Sequence, residues 1–465
     1  MQTKIRSVSA TSASAARTAA VRDHLSAAGC KVFEPGTDGY AQATRIWNGA
    51  VEHKPALVVH CLTINDIQLS LAAAQAHGVQ ISVRGGGHDW VGRALRHGGL
   101  VIDLSGMRRV VVDVEAHEAT IDGGATGNDV AAATAGCGLS AVTANIGAVG
   151  MAGLLLGGGY GPLTTRFGLA SDSLIAAEVV LADGRLVTTD ASHEPDLFWA
   201  LQGGGGNFGV VASMRIRLHD VGELLAGVIM FPWTDAQSVL RGYADLMSSV
   251  PDELAINLGM SVGPAGEPVI SLAPTWSGDR EKGQELIANL QSLGTPILTK
   301  IDPTPLGEML SQNDARFISG RHYATHTCWL RDLAPQAVST LIAAYDARTS
   351  PFTTIVIHHF RGPGTAVAAD ATAFGMRVEH FTVLVYCAWE PSPGVDPALH
   401  RRWASDLPAR LAPWALPGAY ANLLAPDAHA QIGAAYGANA HRLNKLKQKY
   451  DPNNVFSSAI PLPPD

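Results

Sequence analysis

The stretch Ile81-Ser82-Val83-Arg84-Gly85-Gly86-Gly87-His88-Asp89-Trp90 is the starting point for the fold. It reads as a short apolar strand that runs into three consecutive glycines and ends on a histidine. Glycines let the backbone take positive φ and approach a ligand closely, and successive N–H groups in such a turn can cradle a phosphate. Arg84 adds a forked donor at the same place. The alternative is a tight turn with a surface histidine, because a lone glycine run is a weak motif.

Composition narrows the class of protein. The chain has 465 residues, of which 47% are hydrophobic and 16% charged, which predicts two or three domains with large cores. No apolar run approaches the ~20 residues that span a bilayer. The net charge of −8, without a basic stripe, argues against a nucleic-acid partner. The start of the chain lacks the apolar centre of a secretory signal, so we expect a cytoplasmic protein.

The cysteines and the first predicted elements indicate an α+β domain without disulfides or zinc. The five cysteines are an odd number without a CxxC, so they indicate neither a disulfide framework nor a zinc site. Residues 17–30 and 64–77 have helical patterns, and residues 55–61 and 99–104 have those of buried strands. Residues 110–113 and 119–122 read as a hairpin. This rhythm of strands and helices is typical of an α+β domain.

Two further glycine clusters follow. The second, over residues 149–161, contains Gly150, Gly153, Gly157, Gly158, Gly159, Tyr160 and Gly161. The third ends in Gly204, Gly206 and Gly209, followed by Val210, and literally satisfies G-x-G-x-x-G. A Rossmann phosphate loop needs a strand before the glycines and a helix after them, whereas here the helix-like residues 196–201 come first. We therefore reject a nicotinamide site and expect three backbone segments to converge on one extended ligand.

These segments resemble a known family. Residues 82–88, 156–161, 167–172 and 196–205 are similar to the FAD domain of the vanillyl-alcohol-oxidase type. The tail, with Tyr420-Ala421-Asn422 and Lys449-Tyr450-Asp451-Pro452-Asn453-Asn454-Val455-Phe456, is similar to that of berberine-bridge-enzyme-like oxidases. The resemblance covers almost the whole chain, and the middle third matches only loosely.

The resemblance implies the fold and the cofactor. It implies an α+β protein with a two-part PCMH-type FAD-binding domain over residues 31–221 and 417–465, preceded by an N-terminal helix within residues 1–30. It also implies one covalent link from His88 to the flavin 8α carbon. A second link, through a cysteine in many relatives, falls on Ile146, which cannot form a thioether. The flavin site implied also includes Asp172 and Asn422 beside the glycine clusters.

Residues 222–416 change character and predict a substrate domain. Segments 225–231, 255–260, 269–272, 354–360 and 381–389 read as strands, and 236–248, 280–293, 335–347 and 397–411 as helices. An antiparallel sheet flanked by helices and laid over the flavin fits this pattern. Residues 321–329 alternate like a strand, so His322 and His326 are not expected to bind a metal, although one of them is a candidate for the substrate pocket.

Catalysis in such a protein needs a base that takes the proton while a hydride leaves to the flavin. The resemblance places a carboxylate in many relatives where this chain has Val356, and a tyrosine near the tail motif. His358 lies two residues further on the same side of the strand, so it is a candidate base with a pKa suited to neutral pH. Tyr420 is the second catalytic candidate. An ordinary histidine on a partly exposed strand is the alternative for His358.

The expected function follows from the resemblance. We expect an FAD-dependent oxidase that acts on an alcohol or amine carbon of a small or medium substrate and passes electrons to O2. One alternative is an oxidative cyclase or desaturase of secondary metabolism, and another is a non-catalytic flavoprotein subunit. The expected partners are the small-molecule substrate and O2, with no nucleic acid and no membrane, in a monomer or homodimer.

Overall fold

The computed structural model describes residues 2–463, with side chains from residue 14 onward. The first part of the chain forms α1 (Gln2–Ala27), β1 (Lys31–Phe33), α2 (Tyr40–Ala43), β2 (Leu57–His60), α3 (Ile64–Ala76), β3 (Ile81–Arg84), β4 (Leu100–Asp103), β5 (Val110–Asp113), β6 (Glu118–Asp122), α4 (Gly127–Thr134), β7 (Leu139–Ser140), α5 (Met151–Leu156), α6 (Thr164–Phe167), β8 (Leu174–Val180), β9 (Leu186–Asp190), α7 (Pro195–Leu201), β10 (Val210–Arg217) and β11 (His219–Asp220). The predicted N-terminal helix is α1, which begins earlier than expected and ends before Gly29, whose φ is +83°.

The first sheet positions the glycine turn. Its strand order is β1-β2-β4-β3, and β2, β4 and β3 are parallel. Helix α3 begins at a capping box in which the Thr63 hydroxyl accepts from the Asp66 N–H and the Asp66 carboxylate accepts from the Thr63 N–H. Its apolar side, with Ile67 and Leu71, packs into the core of this sheet. Because β3 is held in a buried parallel sheet, the turn after Arg84 leaves from a rigid edge.

A five-stranded antiparallel sheet follows, in the order β5-β6-β10-β8-β9. The predicted hairpin is β5–β6, with Val110 opposite Ile121. Strand β10 is central, and its alternating residues Met214 and Ile216 point into the core shared with α5 and α7. A short pair, β11 and β7, lies beside it.

The middle of the chain forms β12 (Leu224–Pro232), α8 (Ala236–Met247), β13 (Leu254–Val262), β14 (Pro268–Trp276), α9 (Arg280–Gln291), β15 (Leu298–Thr304), α10 (Leu306–Asp314), β16 (His322–Leu330), α11 (Pro335–Asp346), β17 (Thr354–Phe360), α12 (Pro363–Ala366), β18 (His380–Trp389) and α13 (Pro397–Leu411). Its seven strands make one antiparallel sheet in the order β15-β12-β14-β13-β17-β18-β16. Side chains of α8, α9, α11 and α13 cover one face of this sheet. The other face is turned toward the first part of the chain.

The sequence pattern missed β15 and α10. Helix α10 buries Leu306 and Leu310 in the core that contains α4 and the five-stranded sheet. The stretch Leu306-Gly307-Glu308-Met309-Leu310-Ser311-Gln312-Asn313-Asp314 is mostly polar or small, so its two buried leucines, at i and i+4, gave too weak a period.

The tail returns to the first part of the chain. It forms α14 (His429–Ala435) and α15 (Ala440–Tyr450), and Leu443 and Tyr450 lie in the same core as the five-stranded sheet. The Asp451 carboxylate accepts from the N–H groups of Val455 and Phe456 at 2.8 and 2.9 Å, which fixes the turn after α15. The predicted fold class, α+β with an antiparallel sheet flanked by helices, is confirmed. Within residues 2–463, no helix is both long and apolar enough to cross a membrane.

Candidate functional site

A cavity of about 930 Å³ lies between the two parts of the chain. One wall is backbone from the three glycine clusters, around Gly86, Gly150 and Gly206. The opposite wall is the free face of the seven-stranded sheet, and its inward side chains include Met230, Ser271, Val356, His358, Leu384 and Tyr386. The tail contributes Phe456 and Ile460. The structure therefore brings the three clusters to one site, as expected for an extended ligand.

The glycine turn needs glycine for steric reasons. A Cβ built on Gly86 would lie 2.4 Å from the amide nitrogen of Gly150, closer than any real contact. Gly87 has a φ of +69°, in the left-handed region that other residues rarely adopt. As a result the first two glycine clusters touch each other, and the wall they form has no side chains between it and a ligand.

His88 lies at the end of this turn and lines the cavity. Its Nε2 has no hydrogen-bond partner in the part of the chain that the structure describes. Burial lowers the pKa of His88 to about 4, so the imidazole is neutral at pH 7. A buried, neutral and unpartnered ring nitrogen is costly unless something binds to it. The site therefore holds a neutral imidazole whose Nε2 the described residues leave without a hydrogen bond.

Tyr420 and Asn422 meet the same cavity from the tail. The Asn422 Nδ2 donates to the Gly153 carbonyl at 3.1 Å and to the Tyr420 hydroxyl oxygen at 2.9 Å. Because a carbonyl only accepts, this pair of contacts fixes the amide orientation and leaves the phenolic hydrogen of Tyr420 available to a ligand. Burial raises the pKa of Tyr420 to about 12, although the Asn422 amide opposes this rise. Tyr420 is thus a neutral donor at pH 7.

The sheet wall is apolar at its centre. Val356 on β17 pairs with Gly259 of β13 on one side and with Leu384 of β18 on the other, and all three line the cavity. His358, two residues after Val356, also faces the cavity, as the strand period predicts. Burial lowers its pKa to about 4, well below the neutral range expected from the sequence, because the charged imidazolium loses its hydration there.

Two of the expected cofactor-binding side chains point elsewhere. The Arg84 guanidinium donates to the carbonyls of Ala43 and Arg45 at 2.5 and 2.9 Å, so it supports the turn from behind and does not line the cavity. Asp172 forms a buried bidentate pair with Arg377 at 2.8 and 2.9 Å. Neither side chain lines the cavity and both have protein partners, so their contact with the ligand stays a prediction.

Several glycines of the second cluster are packing positions. Gly157, Gly158, Gly159 and Gly161 do not line the cavity, whereas Gly150, Gly153 and Tyr160 do. A Cβ on Gly157 would collide with the Asn422 side chain at 2.1 Å, so this glycine makes room for the tail. Val210 also points away, into the core of the first sheet, because strand alternation sends Gly209 and Val211 toward the cavity instead.

No cysteine lines the cavity, although all five lie in the described part of the chain. Ile146 lines it, at the position where the family resemblance placed a cysteine in other members. Cys137 packs against the core of the five-stranded sheet instead. The described side chains around the cavity therefore include two histidines, His88 and His358, and no thiol.

Sequence reasoning missed an aromatic group beside His88. Trp47, Phe317 and Tyr323 all line the cavity, and the rings of Trp47 and His88 are stacked with centroids 4.5 Å apart. Trp47 lies in a loop without a motif, and its only signal was a pair of apolar residues, Ile46-Trp47, in a polar stretch. Neither His322 nor His326 lines the cavity, so the expectation of a pocket histidine on this strand is wrong.

Comparison with known families and proteins agrees with this geometry. An "FAD binding domain" family matches residues 55–190, and a "Berberine and berberine like" family matches residues 419–463. The (R)-6-hydroxynicotine oxidase of Paenarthrobacter nicotinovorans is 33% identical over 288 residues, covering 61% of this chain and 62% of that protein. The xylooligosaccharide oxidase of Thermothelomyces thermophilus is 28% identical, covering 97% of this chain and 95% of that protein.

Solved structures give the same result. The 6-hydroxy-D-nicotine oxidase of Arthrobacter nicotinovorans superimposes with a TM-score of 0.85 at 26% identity, covering 94% of this chain and 98% of that one. The glucooligosaccharide oxidase of Acremonium strictum, described with a 6-S-cysteinyl, 8α-N1-histidyl FAD, shares the fold with a TM-score of 0.83 at 23% identity, covering 96% and 99%.

The fold and the cavity define an FAD-dependent oxidoreductase. More particularly, residues 55–190 and 419–463 match the FAD-binding and berberine-like domains, and the relatives of this chain are FAD-linked oxidoreductases of the berberine-bridge-enzyme-like group, as the tail and the glycine clusters indicated. The site also fits the cofactor on its own terms. Its wall at Gly86 admits no Cβ, and the buried Nε2 of His88, beside that wall, has no hydrogen-bond partner among the described residues.

Proposed function

We propose that the protein is an oxidase that holds FAD through a single covalent bond to His88. It removes a hydride from an alcohol or amine carbon of a small or medium substrate and passes the electrons to O2, releasing H2O2. The observation that carries this proposal is the neutral imidazole of His88, whose Nε2 has no partner among the described residues, at the end of the glycine turn and in the cavity that the three glycine clusters line.

The residues that would hold the cofactor come from four segments. The turn at residues 85–87 and the backbone at Gly150 and Gly153 supply close-approaching wall without side chains. Gly206, Gly209 and the tail residues Phe456 and Ile460 close the other end. With Ile146 and no cysteine at the cavity, one covalent link is the number that these side chains allow.

When bound, the flavin accepts the hydride, and the protein supplies orientation and proton chemistry. We assign the free phenolic hydrogen of Tyr420 to the substrate oxygen or nitrogen, which fixes the reacting carbon in place. We assign proton acceptance to His358, whose imidazole is neutral at pH 7 and lines the same cavity. The apolar centre of the sheet wall, at Val356 and Leu384, offers the substrate a surface without hydrogen-bonding side chains.

The test is anaerobic reduction of the purified protein by a panel of alcohols, cyclic amines and oligosaccharides. We expect one class to bleach the flavin absorbance, and air to restore it with one H2O2 formed for each flavin reoxidised. Bleaching that yields a ring or a new double bond identifies a cyclase or desaturase instead. Reduced flavin that reacts with added dyes but not with O2 would overturn the assignment as an oxidase.

A further inference from the structure

Trp47 lies between two other rings. It stacks on His88 with centroids 4.5 Å apart and planes at 15°, and on Tyr323 with centroids 3.9 Å apart and planes at 21°. His88 and Trp47 belong to the first part of the chain, and Tyr323 to β16 of the substrate part. The result is a stack of three rings, with Trp47 and Tyr323 buried and His88 partly buried, that crosses the interface and ends on the residue proposed to carry the flavin.

We propose that Trp47 and Tyr323 are positioning residues for the attachment of FAD, and that attachment requires the loop before β16 to be docked on the first part of the chain. This inference rests on the proposed link through His88.

Hydrogen bonds hold Trp47 to both parts of the chain. The Trp47 backbone N–H donates to the Gly87 carbonyl at 2.9 Å, next to His88. Its indole Nε1 donates to the Phe317 carbonyl at 3.1 Å, and its carbonyl accepts from the Gly320 N–H at 2.8 Å. A shift of the 317–320 loop therefore moves Trp47, and Trp47 cannot move without disturbing the glycine turn.

Asn48 extends this connection. Its side chain accepts from the Tyr323 N–H at 2.9 Å and donates to the Tyr323 carbonyl at 3.0 Å, as a neighbouring strand would. The Tyr323 hydroxyl donates to the Ile318 carbonyl at 2.9 Å, which fixes the ring in its plane. Hydrogen bonds thus fix the positions of the Tyr323 and Trp47 rings. The His88 ring stacks on Trp47, so the orientation of the indole sets the orientation of the imidazole.

Orientation matters because of the bond that must form. Attachment joins an imidazole nitrogen of His88 to the flavin 8α carbon and breaks one C–H bond of the methyl group and one imidazole N–H bond. The two protons and two electrons released reduce the flavin, and O2 then accepts them as H2O2, which restores the oxidised cofactor. Because the bond forms only when an imidazole nitrogen is aligned with the flavin 8α carbon, the angle of the His88 ring is the quantity that the stack can control.

The experiment follows covalent incorporation directly. Protein is incubated with excess FAD in air, samples are precipitated with acid, and flavin that stays with the polypeptide is measured by fluorescence. We expect Trp47→Leu to slow incorporation by roughly 10- to 100-fold, the scale on which a misplacement of about 1 Å slows a reaction between oriented groups. Tyr323→Leu should slow it in the same direction, while non-covalent FAD remains bound.

Conservative variants keep the test informative. Trp47→Phe and Tyr323→Phe preserve the stacked rings and should incorporate flavin within a few-fold of the wild-type rate. Trp403→Leu is the matched control, because Trp403 is also partly buried and also donates its Nε1 to a backbone carbonyl, that of Ala344 at 3.0 Å, but does not line the cavity. If Trp47→Leu fails to fold, the incorporation rates of Trp47→Phe and Tyr323→Leu are compared instead. A slower rate in Tyr323→Leu alone supports the role of the stack, and equal rates refute it.

The possible outcomes distinguish failure of the ring-stack proposal from failure of the proposed link at His88. Wild-type protein that never retains flavin after acid refutes the His88 link and with it this inference. Wild-type protein that retains flavin, together with Trp47→Leu and Tyr323→Leu variants that attach it at the wild-type rate, refutes the role of the stack and leaves the link at His88 intact.

Discussion

The two walls of the cavity are built by different means. The wall formed by the glycine clusters is backbone, set by short contiguous stretches such as residues 85–88. The wall formed by the seven-stranded sheet consists of single side chains, one or two from each strand, such as Val356 and Leu384. A contiguous motif specifies cofactor binding by its residue types, whereas the substrate wall depends on which strands become neighbours.

The largest difference between the two walls is expected at His88, in the amount of flavin that stays with the protein after acid precipitation. Replacing His88 with alanine removes the nucleophile of the backbone wall, so all flavin should become extractable by acid while the fold is retained. Absorbance of the supernatant and the pellet after precipitation measures this. His326→Ala, which changes a histidine outside the cavity lining, serves as the control and should leave the flavin attached.

The sheet wall is tested at His358. His358→Ala should slow anaerobic flavin reduction by ~10²–10⁴-fold, the usual contribution of a positioned acid–base group. Tyr420→Phe should cost less, because it removes a hydrogen bond that orients the substrate and leaves the proton acceptor in place. Stopped-flow reduction with the substrate found in the panel measures both. An unchanged rate in His358→Ala removes this residue from the mechanism and leaves Tyr420 as the candidate.

The backbone wall has a steric test. Gly86→Ala places a Cβ against Gly150 and should lower the free energy of unfolding by about 1–3 kcal/mol, the range for overpacking a filled site. Gly222→Ala is the matched control, since a Cβ there meets nothing within 4 Å and Gly222 has no positive φ. Denaturant unfolding monitored by circular dichroism measures both variants. Equal stabilities would show that the two glycine clusters do not touch.

The smallest expected effect is in the pH dependence of flavin reduction, and it is the most specific test of His358 on the sheet wall. The neutral form of His358 is the active form, and burial lowers its pKa to about 4, so the reductive rate should fall only as pH drops through that value. Between pH 6 and 8 the rate should be flat. A fall centred near ~6.5, the ordinary value for imidazole, would show that His358 is hydrated or that another group is the base.

The sequence predicted most of the elements that position the cofactor. The strand before the turn, the hairpin of β5 and β6, and all four helices expected in the substrate part lie where their periodicity indicated. Local patterns suffice there because each element is long or strongly periodic. Helix α10 was not foreseen, since it exists chiefly through the burial of Leu306 and Leu310 against a distant part of the chain.

The site residues also divide into those that local motifs predict and those that depend on distant packing. The positions of His88, Gly150, Gly153, Tyr420 and Asn422 at the cavity were anticipated from motifs. The side chains of Arg84 and Asp172 bind protein partners and do not line the cavity, which the motifs could not indicate because a motif gives residue type but not side-chain direction. Trp47 and Tyr323 were missed for the opposite reason: they are 276 positions apart and become neighbours only through tertiary packing, with ring centroids 3.9 Å apart.

The central claim is that one histidine, and no cysteine, holds the flavin. Digestion of the purified protein followed by mass spectrometry tests it most directly. We expect a single flavin-bearing peptide, which contains His88 and carries the mass of FAD less two hydrogens. A flavin–cysteine adduct at Cys137 or any other cysteine, or a digest in which no peptide carries flavin, would contradict it.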